Sequence, residues 1–306
     1  MKVLVTGVNG QLGYDTADVL NKRGHQVVTS GSKPEYSGIQ KEAPVSDLTY
    51  IQLDITDPDA VMKCMEDIKP DAVIHCAGWT QVDAAEDPEN YDEVMAVNVG
   101  GTRNIAEAAK KTGAVMVYIS TDYVFSGEGS KPWTSDETDF SPLNVYGRSK
   151  VEGEEIVRSV LDRYFIVRTS WVFGMNGGNF IKSILKAAEI RPCLTVVDDQ
   201  IGTPTYTEDL ALLIADMIET DRYGTYNATN SEEGPGQYIS WADLAEEALR
   251  DAGKDTSVKH VTTKEYGMNK AERPLNSRLD KSKLEQNGFR QLPTWKDAVA
   301  RFVSRL

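Results

Sequence analysis

A glycine-rich turn near the start of the chain places the strongest constraint on its fold. The apolar run KVLVT leads directly into Gly7-Val8-Asn9-Gly10-Gln11-Leu12-Gly13, which has the spacing GxxGxxG, and a helical stretch follows. Glycines at these positions let the backbone turn tightly and approach a pyrophosphate, which then lies at the positive end of the helix. The alternative is a turn that binds nothing. Its place after the first strand of the chain favours a dinucleotide site at Gly7, Gly10 and Gly13.

Short β-branched runs alternate with longer amphipathic stretches through the first half of the chain. We predict strands at KVLVT, QVVTS, TYIQL, AVIHC and VMVYIS, and a sixth at RYFIVRTSWVF after a helix that starts in NVYGRSK. This alternation is typical of an α/β fold, a Rossmann-type doubly wound parallel sheet with helices on both faces. Gly/Pro-rich joints then become frequent. We therefore predict an NAD(P)-binding domain over 1–170 and mainly a smaller C-terminal substrate-binding lobe over 171–306, with some segments able to return to the sheet.

Composition excludes several classes of partner. The formal net charge of −14 argues against nucleic acid, whose phosphates require a basic face. No window approaches the roughly 20 apolar residues of a membrane span, and MKVLVTGVNG is too short and Gly-broken for a signal peptide. The 3 cysteines form no CxxC pair, which favours a reducing cytoplasm, and the 3 histidines are too scattered for a His-based metal site.

The loop after the second predicted strand indicates which dinucleotide is bound. Sites that prefer NAD usually carry an acidic residue there, bonded to the adenine-ribose 2′-hydroxyl. Here the loop reads TSGSK, in which Ser30, Ser32 and Lys33 would tolerate or attract a 2′-phosphate. We therefore expect NADPH as the cofactor, with NADH as the alternative. The other interpretation is that TSGSK is a solvated loop that contacts no cofactor. Further along, Asp54 and Ile55 are placed to bond and cover the adenine, and Ala77 and Gly78 offer small side chains beside the cofactor.

A tyrosine and a lysine four residues apart form the candidate catalytic pair. The strand VMVYIS ends in Ser120-Thr121-Asp122-Tyr123, at the sheet edge where open α/β folds bind ligands. Tyr146 and Lys150 then share one face of the next predicted helix. A lysine ammonium near the phenol would lower the pKa of Tyr146 and suit it to proton transfer near neutral pH, with Thr121 holding the substrate oxygen. Tyr266 and Lys270 repeat the spacing but follow no strand, so we expect them at the surface.

Several segments together resemble one family. The sequences GVNGQLG, STDYVF and SPLNVYGRSK resemble the extended short-chain dehydrogenase/reductase superfamily. Over nearly the whole chain, CAGWTQVDAAE, RTSWVFG, DQIGTPTYTEDLA and RPLNSRLDKSKLEQNGF are similar to the dTDP-4-dehydrorhamnose reductase family. The resemblance implies a Rossmann-type domain with a sugar-nucleotide lobe. It also implies NADPH-dependent reduction of the 4-keto group of a dTDP-6-deoxy-4-keto-hexose, for cell-surface polysaccharide synthesis.

The resemblance assigns roles residue by residue. It implies a catalytic triad of Thr121, Tyr146 and Lys150. It places the cofactor against Gly10, Gln11, Leu12, Asp54, Ile55, Gly78, Trp79, Thr80 and Lys150. It places the nucleotide sugar against Thr121, Asp122, Tyr123 and Trp171, with Arg273 as a candidate partner of the diphosphate. It also suggests that Asn98 bends a helix near the catalytic lysine.

Departures from the family pattern leave some features open. CAGW stands where an AAAY-like stretch is usual, so Trp79 is expected to reshape the nicotinamide pocket. Some family members bind magnesium at a dimer interface. Asp15 and Glu208 lie near the matching places, but Asp15 is shorter than the usual glutamate, so we assign no metal ligand and leave a homodimer open. The rival interpretations are an epimerase or dehydratase of the same superfamily, and a non-catalytic regulatory subunit resembling that of methionine adenosyltransferase.

Overall fold

A parallel β-sheet organises the molecule. The computed structural model describes residues 1–39 and 44–306. The strands are β1 (Lys2–Thr6), β2 (Gln26–Gly31), β3 (Thr49–Gln52), β4 (Ala72–His75), β5 (Val115–Thr121), β6 (Tyr164–Thr169), β7 (Val172–Phe173), β8 (Cys193–Val197), β9 (Ile201–Gly202), β10 (Thr205–Tyr206), β11 (Gly224–Asn227), β12 (Asn230–Ser231), β13 (Ile239–Ser240), β14 (Ser257–Val261) and β15 (Leu292–Thr294). Within the described ranges, seven strands pair in parallel in the order β3-β2-β1-β4-β5-β6-β11. This order confirms the predicted doubly wound α/β fold.

The helices connect these strands. They are α1 (Gln11–Lys22), α2 (Pro58–Ile68), α3 (Tyr91–Met95), α4 (Thr102–Thr112), α5 (Val145–Val160), α6 (Phe180–Ala188), α7 (Thr207–Ile218), α8 (Trp241–Asp251), α9 (Thr263–Tyr266), α10 (Ser282–Gln286) and α11 (Trp295–Val303). A π-helical segment, Ala96–Gly101, joins α3 to α4. Short 3₁₀ turns cover Pro44–Asp47, Ala84–Glu86, Pro88–Asn90 and Asp122–Val124. Across the described ranges, no helix combines the length and the apolar character that a membrane crossing requires.

Helices cover both faces of the sheet because successive strand side chains point to opposite sides. In β1, Val3 and Val5 are buried in one apolar cluster with residues of α1 and α7. Leu4, between them, belongs to a second cluster on the other face, with residues of α2, α4 and α5. The near-continuous apolar runs of the predicted strands are therefore explained by burial on both sides.

The predicted sixth strand is interrupted, which corrects the expectation of one strand through RYFIVRTSWVF. β6 ends at Thr169, and Trp171 has a backbone φ of 49°, in the left-handed region that non-glycine residues seldom adopt. After this reversal, β7 pairs with β10 instead of continuing in the central sheet. The interruption turns the Trp171 segment out over the edge of the sheet.

Much of the chain after residue 171 forms a separate group of small sheets and helices. Its apolar residues come largely from α6, α8 and α11, together with Phe173, Tyr206 and Ile239. The helix α8 begins at a capping box, in which Ser240 and Asp243 each bond the other's backbone N–H. Two later elements return to the central sheet: β11 extends it beyond β6, and α7 packs against α1.

Candidate active site

A cleft of about 730 Å³ lies over the carboxyl ends of β1, β4, β5 and β6. This is the edge at which doubly wound sheets bind ligands, and the volume suits a cofactor with part of a substrate. Apart from Arg273, the predicted site residues all line it: Gly7, Gly10, Gln11, Leu12, Gly13, Ser30, Lys33, Asp54, Ile55, Ala77, Gly78, Trp79, Thr80, Thr121, Asp122, Tyr123, Tyr146, Lys150 and Trp171.

The glycine turn forms a cradle at one end of the cleft. Gly7 has a φ of +69°, and a Cβ there would lie 2.6 Å from the Ala77 nitrogen. A Cβ on Gly13 would collide with the Gly7 carbonyl, so this glycine brings α1 close to β1. Gly10 caps α1 with extended backbone and no side-chain hydrogen bond, which leaves the first N–H groups of the helix available to an anion. These features fit a dinucleotide pyrophosphate.

Two asparagines hold this turn from the other side, and sequence reasoning missed both. The Asn176 amide donates to the carbonyls of Asn9 and Gly10, at 3.0 and 3.2 Å. The Asn179 amide donates to the Gln11 side chain at 3.0 Å. Both asparagines lie in the joint GMNGGN, which composition alone marked only as a loop. The segment after β7 therefore braces the glycine turn directly.

The end of β2 and the two residues after it, Thr29 to Lys33, offer hydroxyl and ammonium groups and no carboxylate. Ser30 is buried, and its Oγ has no hydrogen-bond partner among the described residues although the residue lines the cleft. Lys33 is exposed, and its ammonium donates to the Ser37 hydroxyl at 3.2 Å. Ile55 is buried beside the exposed Asp54 on the opposite wall. A buried hydroxyl that lacks a partner among the described residues and an exposed ammonium fit a phosphorylated adenine ribose.

The candidate catalytic helix begins one residue before the tyrosine. Asn144 caps α5 by accepting a hydrogen bond from the Gly147 N–H at 2.8 Å. Tyr146, in the first turn, is half-buried, and Lys150 lies one turn further along with only 8% of its surface exposed. The ring of Tyr146 meets that of Tyr123 edge to face, with centroids 5.8 Å apart. The helix therefore presents the phenol to the cleft and buries the lysine beneath it.

The electrostatics of this pair differ from the prediction. Burial raises the pKa of Tyr146 above its usual value, and the nearby Asp122 carboxylate raises it further. Burial also lowers the pKa of Lys150 to about 7, against the opposing effect of the Glu154 carboxylate. The expected lowering of the phenol pKa by the lysine is therefore wrong, because burial and the Asp122 carboxylate both raise it. Tyr146 is protonated at neutral pH, which suits a proton donor.

Thr121 and its neighbours close the reacting end of the cleft. The Thr121 hydroxyl donates to the Asp122 carboxylate at 3.0 Å and accepts from the Tyr123 backbone N–H at 3.2 Å. Burial raises the pKa of Asp122 to about 6 and raises that of Tyr123 above its usual value. The hydroxyl predicted to hold the substrate oxygen is thus oriented by a neighbouring carboxylate.

Asn98 lies in the π-helical segment and joins two walls of the cleft. Its side-chain oxygen accepts from the Trp79 backbone N–H at 2.7 Å, and its amide donates to the Ser149 hydroxyl at 2.9 Å. The distorted helix therefore lies where the sequence suggested, beside the residue that precedes Lys150. Trp79 packs with Tyr146 against a small apolar cluster of Ala85, Val94 and Val145.

A buried histidine that sequence reasoning left without a role lies under the same wall. The Thr102 hydroxyl donates to the Asn98 carbonyl at 2.6 Å, so its contact with His75 Nε2 at 3.3 Å requires the ring to donate. The other nitrogen, Nδ1, then accepts from the Thr6 hydroxyl at 3.0 Å. Burial lowers the pKa of His75 to about 3. The ring is a neutral Nε2–H tautomer that links β1, β4 and the π-helical segment.

Comparison with known proteins agrees with this geometry. The family model described as RmlD substrate binding domain matches residues 1–306. The chain is 36% identical to the dTDP-4-dehydrorhamnose reductase of Aggregatibacter actinomycetemcomitans, over 97% of each chain. It is 35% identical to the spore coat polysaccharide biosynthesis protein SpsK of Bacillus subtilis, over 99% of this chain and 96% of that protein. The chain belongs to the dTDP-4-dehydrorhamnose reductase family.

A solved structure supports the same placement. The dTDP-4-dehydrorhamnose reductase of Bacillus anthracis, crystallised in complex with NADP, superposes with a TM-score of 0.87 and 36% identity, and the match covers 100% of this chain and 99% of that one. The family is thus shown by sequence and by fold.

Among the residues that the family resemblance pointed to, Arg273 does not line the cleft. Its guanidinium pairs with Asp83 at 2.7 Å and donates to the Ala271 carbonyl at 3.2 Å. A contact of Arg273 with the diphosphate stays a prediction. Tyr266 and Lys270 behave as expected: the lysine lies beyond the end of α9 and pairs with Asp87, so the two do not share a helix face.

The acidic residues that the family pattern associates with magnesium have other partners here. Asp15 is buried and accepts from the Thr207 hydroxyl, and burial raises its pKa to about 6. Glu208 is paired with the Arg305 guanidinium, which also donates to the Tyr206 hydroxyl at 2.8 Å. Within residues 1–39 and 44–306, no group of three or more His, Cys, Asp or Glu side chains is placed to hold a metal ion.

Proposed function

We propose that this member of the dTDP-4-dehydrorhamnose reductase family reduces the 4-keto group of dTDP-4-dehydrorhamnose with NADPH, giving dTDP-rhamnose for polysaccharide synthesis. The observation that carries the proposal is a tyrosine kept protonated by its surroundings, beside Thr121 in the cleft that also contains the glycine cradle. That arrangement supplies what carbonyl reduction requires from the protein: a bound dinucleotide and a positioned proton donor.

The chain's own residues divide the remaining work. When bound, the dihydronicotinamide supplies the hydride that goes to C4 of the sugar. Thr121 orients the carbonyl oxygen when its hydroxyl turns from Asp122 to donate to that oxygen, and Tyr146 gives its proton to the same oxygen as negative charge develops there. Lys150, buried one turn below, binds the nicotinamide ribose and stabilises the phenolate that Tyr146 becomes. Hydride and proton together convert the ketone to the alcohol.

NADPH is favoured over NADH by the loop after β2. Within the described residues, Ser30 offers a buried hydroxyl without a hydrogen-bond partner, and Lys33 offers an exposed ammonium that donates to the Ser37 hydroxyl. A 2′-phosphate can accept hydrogen bonds from both groups, whereas an adenine ribose without that phosphate offers the Lys33 ammonium no negative charge. A carboxylate that would repel the phosphate is absent from TSGSK.

A reductase is favoured over a dehydratase at Tyr123. Related dehydratases carry an acid at this place, which with the preceding aspartate supplies the acid and base for loss of water. Burial raises the pKa of the Tyr123 phenol, so it is an even poorer base at pH 7 than an exposed tyrosine. The reducing chemistry needs no base there.

A panel assay tests the proposal. Purified enzyme is supplied with NADPH and, in turn, dTDP-4-dehydrorhamnose, other dTDP-4-keto sugars and dTDP-glucose, and absorbance of NADPH is followed. We expect stoichiometric oxidation with the 4-keto-6-deoxyhexose and none with dTDP-glucose. A protein that oxidises no NADPH with any keto sugar would instead support the regulatory-subunit interpretation.

We place the enzyme in the cytoplasm with its substrates, and we leave a homodimer as a prediction for sedimentation analysis.

A further inference from the structure

Three aromatic side chains form the end wall of the cleft, and only one of them was predicted. Trp171 and Trp241 stack with ring centroids 4.1 Å apart and an interplanar angle of 21°. Phe180 packs on the other tryptophan of the pair, Trp241, at 4.6 Å. All three line the cleft and are half-buried. Trp241 comes from α8, so the wall is assembled from different parts of the chain.

The position of Trp171 depends on its neighbours. Its φ of 49° is unfavourable for a residue with a bulky side chain, so packing must hold the backbone in place. The stacking contact with Trp241 is the interaction that fixes the plane of the indole. Trp171 also follows Thr169 by two residues, and Thr169 is paired with Thr121 across β5 and β6. The wall therefore adjoins the reacting end of the cleft.

A hydrogen-bonded chain in turn orients Trp241. Its indole N–H donates to the Gln200 side-chain oxygen at 3.1 Å, and the Gln200 amide donates to the Thr263 hydroxyl at 3.0 Å. Asp199 accepts from that hydroxyl at 2.6 Å and from the Thr263 backbone N–H at 2.9 Å. Because both ends of the buried Gln200 amide are engaged, its oxygen is fixed towards the indole. The first two residues of the segment DQIGTPT therefore help to orient an aromatic side chain that lines the cleft.

We propose that Trp241, oriented by Gln200, is a positioning residue that holds Trp171 against the hexose of the sugar nucleotide. This rests on the proposed function. An aromatic wall offers an apolar surface to the C–H face of a deoxyhexose and no partner to a hydroxyl, so it binds the sugar without entering the chemistry. Trp241 should therefore act on the affinity for the sugar nucleotide more than on the affinity for NADPH, because its ring and indole N–H contact Trp171, Phe180 and Gln200.

The test compares Trp241→Leu and Gln200→Leu with Trp133→Leu. Trp133 is a matched control because it also stacks on an aromatic ring, Phe125, and also donates its indole N–H, yet it does not line the cleft. We expect KM for dTDP-4-dehydrorhamnose to rise about tenfold in Trp241→Leu, the loss of roughly one aromatic contact, and by a smaller factor in Gln200→Leu. KM for NADPH and kcat should stay within about twofold of the wild type. Trp133→Leu should lower thermal stability and leave both KM values unchanged.

The outcomes separate the inference from the proposed function. A wild-type enzyme that turns over the sugar, with Trp241→Leu and Gln200→Leu showing unchanged sugar KM, overturns the inference alone. Equal rises in both KM values would mean general damage to the cleft and would also overturn it. A wild-type enzyme without NADPH-dependent turnover overturns the proposed function and this inference with it. If Trp241→Leu does not fold, Gln200→Leu decides, because it keeps both tryptophans.

Discussion

The Asn98 amide donates a hydrogen bond to the Ser149 hydroxyl at 2.9 Å, and Ser149 in turn donates to the carbonyl of Tyr146 at 2.7 Å. The same asparagine accepts from the Trp79 backbone N–H. One side chain thus ties the segment after β4 to the first turn of the helix that carries Tyr146 and Lys150. These hydrogen bonds help to fix the position of α5 relative to that segment.

The role of Tyr146 is tested by Tyr146→Phe, which keeps the ring and removes the proton. Turnover should fall by about 10²–10⁴-fold, the usual contribution of a general acid, while NADPH binding is retained. The chain provides its own control in Tyr266→Phe, at the second tyrosine–lysine spacing, which should leave turnover unchanged. Steady-state kinetics and NADPH fluorescence titration measure both effects. Equal behaviour of the two variants would contradict the assignment.

Cofactor choice is tested at Lys33. Replacing it with glutamate puts a carboxylate next to the place of the 2′-phosphate, so the ratio of kcat/KM for NADPH over NADH should fall by about tenfold or more. Lys254→Glu makes the same charge change at an exposed lysine outside the cleft and should leave the ratio unaltered. A wild-type enzyme that strongly prefers NADH would contradict our interpretation of TSGSK.

The buried histidine makes stability depend on pH. The folded protein lowers the pKa of His75 to about 3, so below the ordinary value near 6.5 only the unfolded state takes up the proton. The neutral ring makes its full contribution to the free energy of unfolding above about pH 6.5. That contribution falls as the pH falls, by at most about 1.4 kcal/mol per pH unit. The difference in free energy of unfolding between the wild type and His75→Gln should therefore shrink from pH 7.5 to pH 5. Asp15 and Asp122, whose pKa values are raised to about 6, change the free energy of unfolding with pH in the opposite direction. They do so equally in the wild type and in His75→Gln, so their effect cancels in the difference. A difference that does not change with pH would contradict the neutral buried ring.

A buried ion pair joins α5 to β6 and should contribute strongly to the free energy of unfolding. Glu154 and Arg168 have no exposed side-chain surface, and two hydrogen bonds of 2.8 and 2.9 Å join them. Glu154→Gln leaves the arginine charge buried and uncompensated, which should cost about 3–5 kcal/mol in chemical denaturation. Asp67→Asn breaks an exposed pair with Lys63 and should leave the denaturation midpoint nearly unchanged. Similar effects of the two variants would contradict the importance of burial.

Periodicity and strand ends were enough to predict the sheet and most of the cleft. The glycine turn, the Thr121 strand end and Tyr146 all follow from where parallel strands finish, because that edge collects the loops. The break after Thr169 was not predictable, since RYFIVRTSWVF is rich in β-branched and aromatic residues and the left-handed backbone at Trp171 is stabilised by a residue about 70 positions away.

Contacts between distant segments account for the other differences. The Asp83–Arg273 pair, the asparagines that brace the glycine turn and the stacking of Trp241 join residues far apart in sequence, so no local pattern marks them. The direction of the Tyr146 pKa shift was mistaken for a related reason. Spacing on a helix shows that a lysine is near, but the extent to which both groups lose water depends on the packing of the whole cleft.

The central claim is that this protein transfers a hydride to C4 of the sugar and a proton to the oxygen on C4. Mass spectrometry of the product formed from dTDP-4-dehydrorhamnose and NADPH deuterated at the transferable C4 position tests it most directly. We predict a product that has gained one deuterium, on C4, and one exchangeable hydrogen, with one NADPH oxidised per sugar reduced. A product that has lost water, or a sugar recovered with changed stereochemistry and no net oxidation of NADPH, would contradict the account.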